Sequence, residues 1–137
     1  MRLPSLELDG WQLRSGEEAH VLHPDTFELP PREAREGLRR GQAARLMFWI
    51  EERQPDGSSV PQGERMWVIV AERIGDTYIG ILDNQPLSVD RESDAYLRFG
   101  TEIPFRAEHV IDILDPPAEY SAWQLGQAPD GVWAREG

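Results

Sequence analysis

The chain of 137 residues has the length of a single domain, which at this size buries roughly two thirds of the surface of its unfolded chain. It carries 25 acidic residues against 14 arginines and no lysine, a formal charge of −11 at pH 7 that repels nucleic acids and anionic membranes. The lack of cysteine excludes disulfides, thiolate nucleophiles and metal sites with cysteine ligands, and the lack of lysine excludes Schiff-base chemistry.

The same charge has two interpretations. It attracts a basic partner and speeds its association, or it serves only to keep the protein soluble. The first residues contain no signal-peptide core, and no apolar run approaches the length of a membrane span. We therefore expect a cytoplasmic protein that has no nucleic-acid partner and no contact with membranes.

The N-terminal third of the chain predicts little regular structure. Residues 1–30 mix short apolar runs with polar breaks and predict one or two short strands. Residues 30–41 predict a short helix, because Pro31 suits a first turn, Glu33 favours the N-terminal end and Gly41 can adopt a left-handed conformation after the last turn.

The segment 43–52 predicts a strand. Its even-numbered apolar residues lie on one face: Leu46, Phe48 and Ile50. Met47 and Trp49 lie on the other face, and a strand that is apolar on both faces is typically central in its sheet. Residues 54–63 are rich in Pro, Gly and Ser and predict a loop.

Two β-rich runs on either side of Gly75-Asp76 predict a hairpin with a two-residue turn. This turn sets a register in which Trp67 opposes Asn84 and Ala71 opposes Gly80 on one face. Two small residues facing each other would leave a dent in that face. A protein side chain would fill the dent, or a small ligand would bind there.

The run Asp83-Asn84-Gln85-Pro86 follows the second strand of this hairpin. Aspartate and asparagine form turns by bonding to nearby backbone, and proline cannot donate a hydrogen bond to a neighbouring strand. Two interpretations remain open. The run is a turn that ends the strand, or it is the polar rim of a binding surface beside Trp67.

The C-terminal part alternates short elements with breaks. Residues 87–89 and 101–105 predict short strands, and residues 107–114 predict either a short strand or a helical turn that ends at Asp115-Pro116-Pro117. Residues 116–137 predict an irregular tail whose tryptophans dock on another surface. Together these elements predict one α+β domain over residues 1–137, a strongly bent, mostly antiparallel sheet of about five strands with one short helix packed against it.

Four segments carry a resemblance to a family of uncharacterised bacterial domains of unknown function. They are Glu64-Arg65-Met66-Trp67-Val68, Tyr78-Ile79-Gly80-Ile81-Leu82-Asp83-Asn84-Gln85-Pro86, Phe99-Gly100 and Glu108-His109-Val110-Ile111-Asp112. The resemblance covers roughly residues 25–115. Members of this family are similar to immunity proteins of bacterial toxin systems, so the resemblance implies a small α+β domain with a binding role.

No motif predicts a cofactor or a metal site. The alternating carboxylates of Asp90–Asp94 match only the start of a calcium loop, because the later ligand positions fall on Ala95 and Thr101. His20 and His23 lack a third ligand at a suitable spacing. No glycine-rich phosphate loop is present.

No motif predicts an enzyme either. His109 beside Glu108 is half of an acid–base arrangement, but no serine or cysteine nucleophile motif accompanies it. The alternative to a binding role is a small-molecule-binding or minor enzymatic domain that uses the Ala71/Gly80 dent together with Glu64, Asp83 and His109.

The five tryptophans favour binding, because tryptophan is enriched at interface hot spots as well as in cores. Trp67 fits the core and, beside Asn84, the edge of a binding surface, whereas Trp49, Trp123 and Trp133 fit an interface. Residues 83–119 contain nine acidic residues and three arginines, a net charge of −6. The leading hypothesis is a binding or immunity-like protein that sequesters a basic partner through an acidic, Trp-containing surface. Its candidate binding residues are Trp49, Trp67, Asp83, Asn84 and Trp123.

Overall fold

A computed structural model of the chain describes residues 1–136. Within these residues six strands form one sheet: β1 (Trp11–Leu13), β2 (Ala43–Arg53), β3 (Ser59–Ile74), β4 (Thr77–Leu82), β5 (Glu102–Phe105) and β6 (Val110–Leu114). The helices are short: α1 (Leu6–Asp9), α2 (Gly16–Leu22), α3 (Arg32–Glu36) and α4 (Ala118–Leu125). A 3-10 turn, Ala107–His109, precedes β6.

The sheet is antiparallel and curled, with the strand order β1-β2-β3-β4-β5. β6 also pairs with β2, on the edge that β1 uses, so β1 lies against residues 48–50 and β6 against residues 43–46. The predicted α+β fold and the central position of β2 are confirmed. The structure has three short helices, α1, α2 and α4, in addition to the one that the sequence predicted.

One face of the curled sheet, here called the inner face, forms the core. Its strand residues are buried and apolar: Ala44, Leu46, Phe48, Ile50, Met66, Val68, Val70, Tyr78, Leu82, Ile103 and Phe105. The alternation predicted for β2 is thereby confirmed. Trp11, Leu97, Val110 and Trp133 close the core from other elements. Full burial of a side chain of the size of valine or larger contributes roughly 1.5–3 kcal/mol, because it removes apolar surface from water.

The hydroxyl group of Tyr78 fastens the segment after α3 to this core. It donates a hydrogen bond to the carbonyl of Arg35 (2.9 Å) and accepts one from the N–H of Leu38 (3.2 Å). The helix is shorter than the predicted segment 30–41 because it ends at Gly37. Gly41 has the positive φ expected for it, in the turn that leads into β2.

The hairpin register differs from the prediction. Pairing follows the predicted register from Ile74–Thr77 to Glu72–Ile79, and a β-bulge then shifts it by one residue. Ala71 has no partner, and Gly80 pairs with Val70 instead.

The predicted dent is therefore wrong. A Cβ atom added to Gly80 would lie 2.7 Å from Cγ2 of Val68 and 3.1 Å from Cε1 of Phe105, so protein side chains already fill this space. The small-molecule alternative loses the cavity on which it was based.

The C-terminal predictions were partly wrong. Residues 107–114 form both alternatives, a 3-10 turn followed by β6, and the predicted irregular tail contains α4. Residues 87–89 form a turn, in which the Glu64 carboxylate accepts hydrogen bonds from the N–H groups of Leu87 (2.8 Å) and Ser88 (2.9 Å). The predicted loop 54–63 is shorter than expected, because β3 begins at Ser59.

Candidate functional site

Tryptophans and arginines meet on the outer face, the side of the sheet opposite the core. The guanidinium carbon of Arg14 lies 4.8 Å from the ring centroid of Trp49, and that of Arg45 lies 5.8 Å from the ring of Trp67. The guanidinium carbon of Arg65 lies 5.5 Å from the ring of Phe27. We call these six residues the arginine–aromatic cluster. Each contact is worth about 0.5–1 kcal/mol at an exposed site.

The strand register explains how these residues come together. Met47 and Arg65 are direct cross-strand partners, and the N–H of Arg14 donates to the carbonyl of Met47 (2.9 Å) from the other side of β2. Arg14, Met47 and Arg65 thus form a row across three strands. Arg45 and Trp49 stand on the same face, two residues to either side of Met47, because side chains alternate along a strand.

The three guanidinium groups of this cluster contact rings but have no polar partner in the described residues. Within residues 1–136 the side chains of Arg14, Arg45 and Arg65 make no hydrogen bond and no ion pair. Stacking on a ring engages the face of a guanidinium and leaves its N–H donors free. The cluster can therefore recognise acceptor groups, carboxylates above all.

Sequence reasoning found the two tryptophans but missed Arg14, Arg45, Arg65 and Phe27. A signal was present for two of them, because Arg45 precedes Trp49 by four residues and Arg65 precedes Trp67 by two. These spacings place both pairs on one face of a strand. Arg14 and Phe27 gave no such signal, since they reach the sheet from other parts of the chain.

Asp83 fastens α4 to the outer face. Its Oδ1 accepts hydrogen bonds from the hydroxyl of Tyr120 (2.7 Å) and from Nε2 of Gln124 (2.7 Å). The bond to Asp83 raises the pKa of Tyr120 to about 12, with a further contribution from burial. The backbone N–H of Asp83 donates to the carbonyl of Trp67 (2.9 Å), so α4 is held next to Trp67.

Asn84 also has a role in the fold. Its Oδ1 accepts a hydrogen bond from the backbone N–H of Trp67 (2.7 Å), an N–H that the bulged register leaves without a strand partner. In the same run Oε1 of Gln85 accepts from the N–H of Phe99 (3.2 Å). These contacts support the interpretation of Asp83-Asn84-Gln85-Pro86 as a turn that ends β4.

The two C-terminal tryptophans have different positions. Trp123, on α4, is 53% exposed and lies against Tyr120 with 5.7 Å between the ring centroids. Trp133 is only 5% exposed and belongs to the core, so its assignment to an interface was wrong. Trp49, Trp67 and Asp83 lie on the outer face, with Trp123 at its margin.

The acidic residues between positions 83 and 119 do not form one surface. Glu102 is buried and accepts hydrogen bonds from Arg135 (2.7 Å) and from the N–H of Trp133 (2.9 Å). Burial alone would raise the pKa of Glu102, but these bonds outweigh it and lower the pKa.

Three further carboxylates, those of Asp90, Glu92 and Asp94, lie in an exposed loop. The residues that flank this loop, Val89 and Tyr96, pack on the core of the inner face. Arginines rather than these carboxylates are the charged groups next to Trp49 and Trp67.

His109 is a buried structural residue. Its Nδ1 accepts a hydrogen bond from the N–H of Arg106 (2.9 Å), and its Nε2 lies 3.4 Å from the carboxylate of Glu108. Burial, and secondarily the charge of Arg106, lower the pKa of His109 to about 4, so the ring is neutral at pH 7. The small-molecule alternative uses Glu64, Asp83 and His109. In the structure Glu64 binds the turn at Leu87 and Ser88, Asp83 binds α4, and His109 binds the backbone of Arg106.

In the described part of the chain, no group of three or more His, Asp and Glu side chains is arranged to hold a metal ion. No helix between residues 1 and 136 is both long enough and apolar enough to cross a membrane.

Comparison with known proteins gives no relative. No protein-family model, curated protein or solved structure matches this chain. The resemblance to a bacterial domain family and to immunity proteins therefore stays a prediction.

Proposed function

We propose that this protein is a binding protein that takes a protein partner on its outer face. The observation that carries the proposal is the position of Trp49 and Trp67 on one face, beside arginines that have no polar partner within residues 1–136. Trp123 adds a half-exposed ring at the margin of this face. Tryptophan and arginine are the residue types most enriched at interface hot spots, where a few side chains supply most of the binding energy.

The proposed partner is basic overall, as a toxin-like enzyme bound by an immunity-like protein would be. The net charge of −11 supports this part of the proposal, because it attracts a basic protein at long range and speeds its encounter. Contact groups and steering groups have different roles here. The tryptophans anchor the partner, and carboxylates elsewhere on the surface steer it. A cytoplasmic location of both proteins in a bacterium is part of the proposal.

A comparison of baits tests this proposal. The tagged protein and its Trp49→Ala/Trp123→Ala variant are used to capture proteins from a lysate of the source cells, and captured proteins are identified by mass spectrometry. Leu87→Ala is the control, because Leu87 is a highly exposed apolar residue in a turn held by Glu64, whose side chain lies on the face of β3 opposite to that of Arg65. We expect a basic protein that the wild type and the control retain and the double variant loses.

The purified pair then allows a quantitative measurement. We expect the association rate to fall as salt screens the charges, and the double variant to weaken binding about 30-fold or more, the effect of losing a hot spot of about 2 kcal/mol. A partner held equally well by all three baits would contradict binding on the outer face. An association rate that does not change with salt would contradict a basic partner.

A further inference from the structure

We propose that the arginine–aromatic cluster is the docking site for an extended, carboxylate-bearing segment of the protein partner. The inference rests on the proposed function, since it names the chemistry of the segment that would lie on the same outer face. The partner as a whole is basic in the proposed function, and the docked segment is a local acidic stretch of it. Long-range attraction follows the net charges of two proteins, whereas register and specificity follow the groups in contact.

The arginines of the cluster have hydrogen-bond donors without an acceptor in the described part of the chain. This protein has a surplus of carboxylates, and six of its other arginines pair with them; Arg35, for example, binds Glu17 at 2.7 Å, and Arg135 binds Glu102 at 2.7 Å. Arg14, Arg45 and Arg65 have no such partner within residues 1–136, although all three lie on one face. A cluster of unpaired arginines in a protein rich in carboxylates is a site to which carboxylates can be supplied from outside.

Arg45 gives the clearest case. Its guanidinium lies over the ring of Trp67, and its Nε is buried without a hydrogen-bond partner in the described residues. That nitrogen is enclosed by protein atoms, so the donors that Arg45 can offer to a partner are its two terminal nitrogens, which make no hydrogen bond within residues 1–136 and are not buried. The planar fork of a guanidinium matches the two oxygens of a carboxylate.

The spacing fits an extended segment. Arg14 and Arg65 lie one strand to either side of Met47, roughly 10 Å apart between backbones, and Arg45 stands two residues along β2, roughly 7 Å from Met47. An extended peptide presents alternate side chains on one face at intervals of roughly 7 Å. Carboxylates at alternate positions can therefore reach different guanidinium groups, while the aromatic rings contact the apolar atoms of the segment.

The surroundings favour a peptide over a nucleic acid. Asp112 is the direct cross-strand partner of Arg45, and Glu51 lies two residues beyond Trp49 on the same face. A nucleic acid carries a charge at every phosphate and would extend over these carboxylates and the rest of a surface with a net charge of −11. A short acidic segment places its charges only where the arginines are.

Fluorescence anisotropy with labelled peptides tests the inference on the full chain. The probes are an octapeptide of alternating glutamate and serine, the same peptide with glutamine for glutamate, the same peptide with arginine for glutamate, and an oligothymidylate of equal length. Near-physiological salt limits long-range repulsion from the rest of the protein. We expect the glutamate peptide to bind at least about tenfold more tightly than each of the others, since it alone pairs with the guanidinium groups.

The variant Arg14→Gln/Arg65→Gln should weaken binding of the glutamate peptide about tenfold or more. Its control, Arg39→Gln/Arg91→Gln, removes the same charge from exposed arginines outside the cluster and should leave affinity unchanged. Thermal unfolding checks that both variants fold, which we expect because the side chains replaced make no hydrogen bond. Titration followed by NMR should shift the indole N–H signals of Trp49 and Trp67.

Several results would overturn the inference. Equal binding of the glutamate and glutamine peptides would exclude carboxylate recognition, and equal losses in the two variants would place binding outside the cluster. Tighter binding of the oligothymidylate would assign the site to nucleic acid, and tighter binding of the arginine peptide would assign it to a basic segment. If the glutamate peptide binds but no captured protein is lost from the Trp49→Ala/Trp123→Ala bait, only the proposed function is contradicted. If a captured protein is lost from that bait but the glutamate peptide does not bind, only this inference is contradicted.

Discussion

Trp123 and Trp133 occur ten residues apart in the same C-terminal segment, yet the structure assigns them opposite roles. The ring of Trp133 packs edge-on against Trp11 and Tyr96, with centroid distances of 5.7 Å and 5.6 Å. Its Nε1–H donates to the carbonyl of Arg2 (3.0 Å). Trp123 lies against Tyr120 and is 53% exposed. Replacing each tryptophan by alanine should therefore give very different losses of stability.

The size of each loss of stability depends on how deeply the tryptophan is buried. Truncating a buried aromatic residue to alanine costs about 3–5 kcal/mol, through lost transfer free energy and the cavity left behind. The loss of Trp133 also removes its hydrogen bond and loosens the segment in which Arg135 pairs with the buried Glu102. For a domain of this size 3–5 kcal/mol lowers the Tm by roughly 10–17 °C. Trp123→Ala should change the free energy of unfolding by about 0.5 kcal/mol or less.

Urea unfolding followed by far-UV circular dichroism measures both variants without relying on tryptophan fluorescence. Trp133→Phe serves as a matched control, because it keeps an aromatic ring in the core and should recover most of the lost stability. A loss below about 1 kcal/mol for Trp133→Ala would show that the C-terminal segment is not docked in the core. Equal losses for both alanine variants would refute the distinction between the two rings.

Two further predictions concern single side chains. Asn84→Ala should cost about 1–2 kcal/mol, because the N–H of Trp67 loses its acceptor, and should leave partner binding intact; loss of binding in a folded variant would contradict the turn interpretation. The lowered pKa of His109, about 4 against about 6.5 in the unfolded chain, means that the unfolded state binds a proton first as pH falls. The free energy of unfolding is therefore highest above about pH 6.5, where the ring is neutral in both states. It falls by about 3 kcal/mol as pH falls to about 4. His109→Gln should be less sensitive over this range in urea titrations, and equal sensitivity would contradict the assignment.

The sequence determined the features that depend on neighbouring residues. The alternation of Leu46, Phe48 and Ile50 was enough to predict a strand and its core face, because side chains of a strand alternate in direction. Gly75 was enough to predict the turn between β3 and β4, since a tight hairpin needs a positive φ at this position. The α+β class followed from the order of such local elements.

Only the tertiary structure decided features that depend on contacts between distant residues. The bulge at Ala71 depends on how β3 fits both β2 and β4, and a shift of one residue moved Asp83 opposite Trp67 and removed the predicted dent. The opposite burial of Trp123 and Trp133 depends on where the C-terminal segment crosses the sheet.

In the candidate site, too, some features could be predicted from the sequence and others depended on tertiary contacts. Trp49 and Trp67 were recognised from residue type alone, but the charge beside them was not. Arg14 comes from the end of β1, and Arg45 and Arg65 become neighbours of Met47 only through the pairing of β2 with β3. Net charge is a sum over the sequence, whereas the charge of a surface depends on which residues the fold brings together. A chain with a net charge of −11 can therefore place three arginines that form no ion pair on one face within residues 1–136.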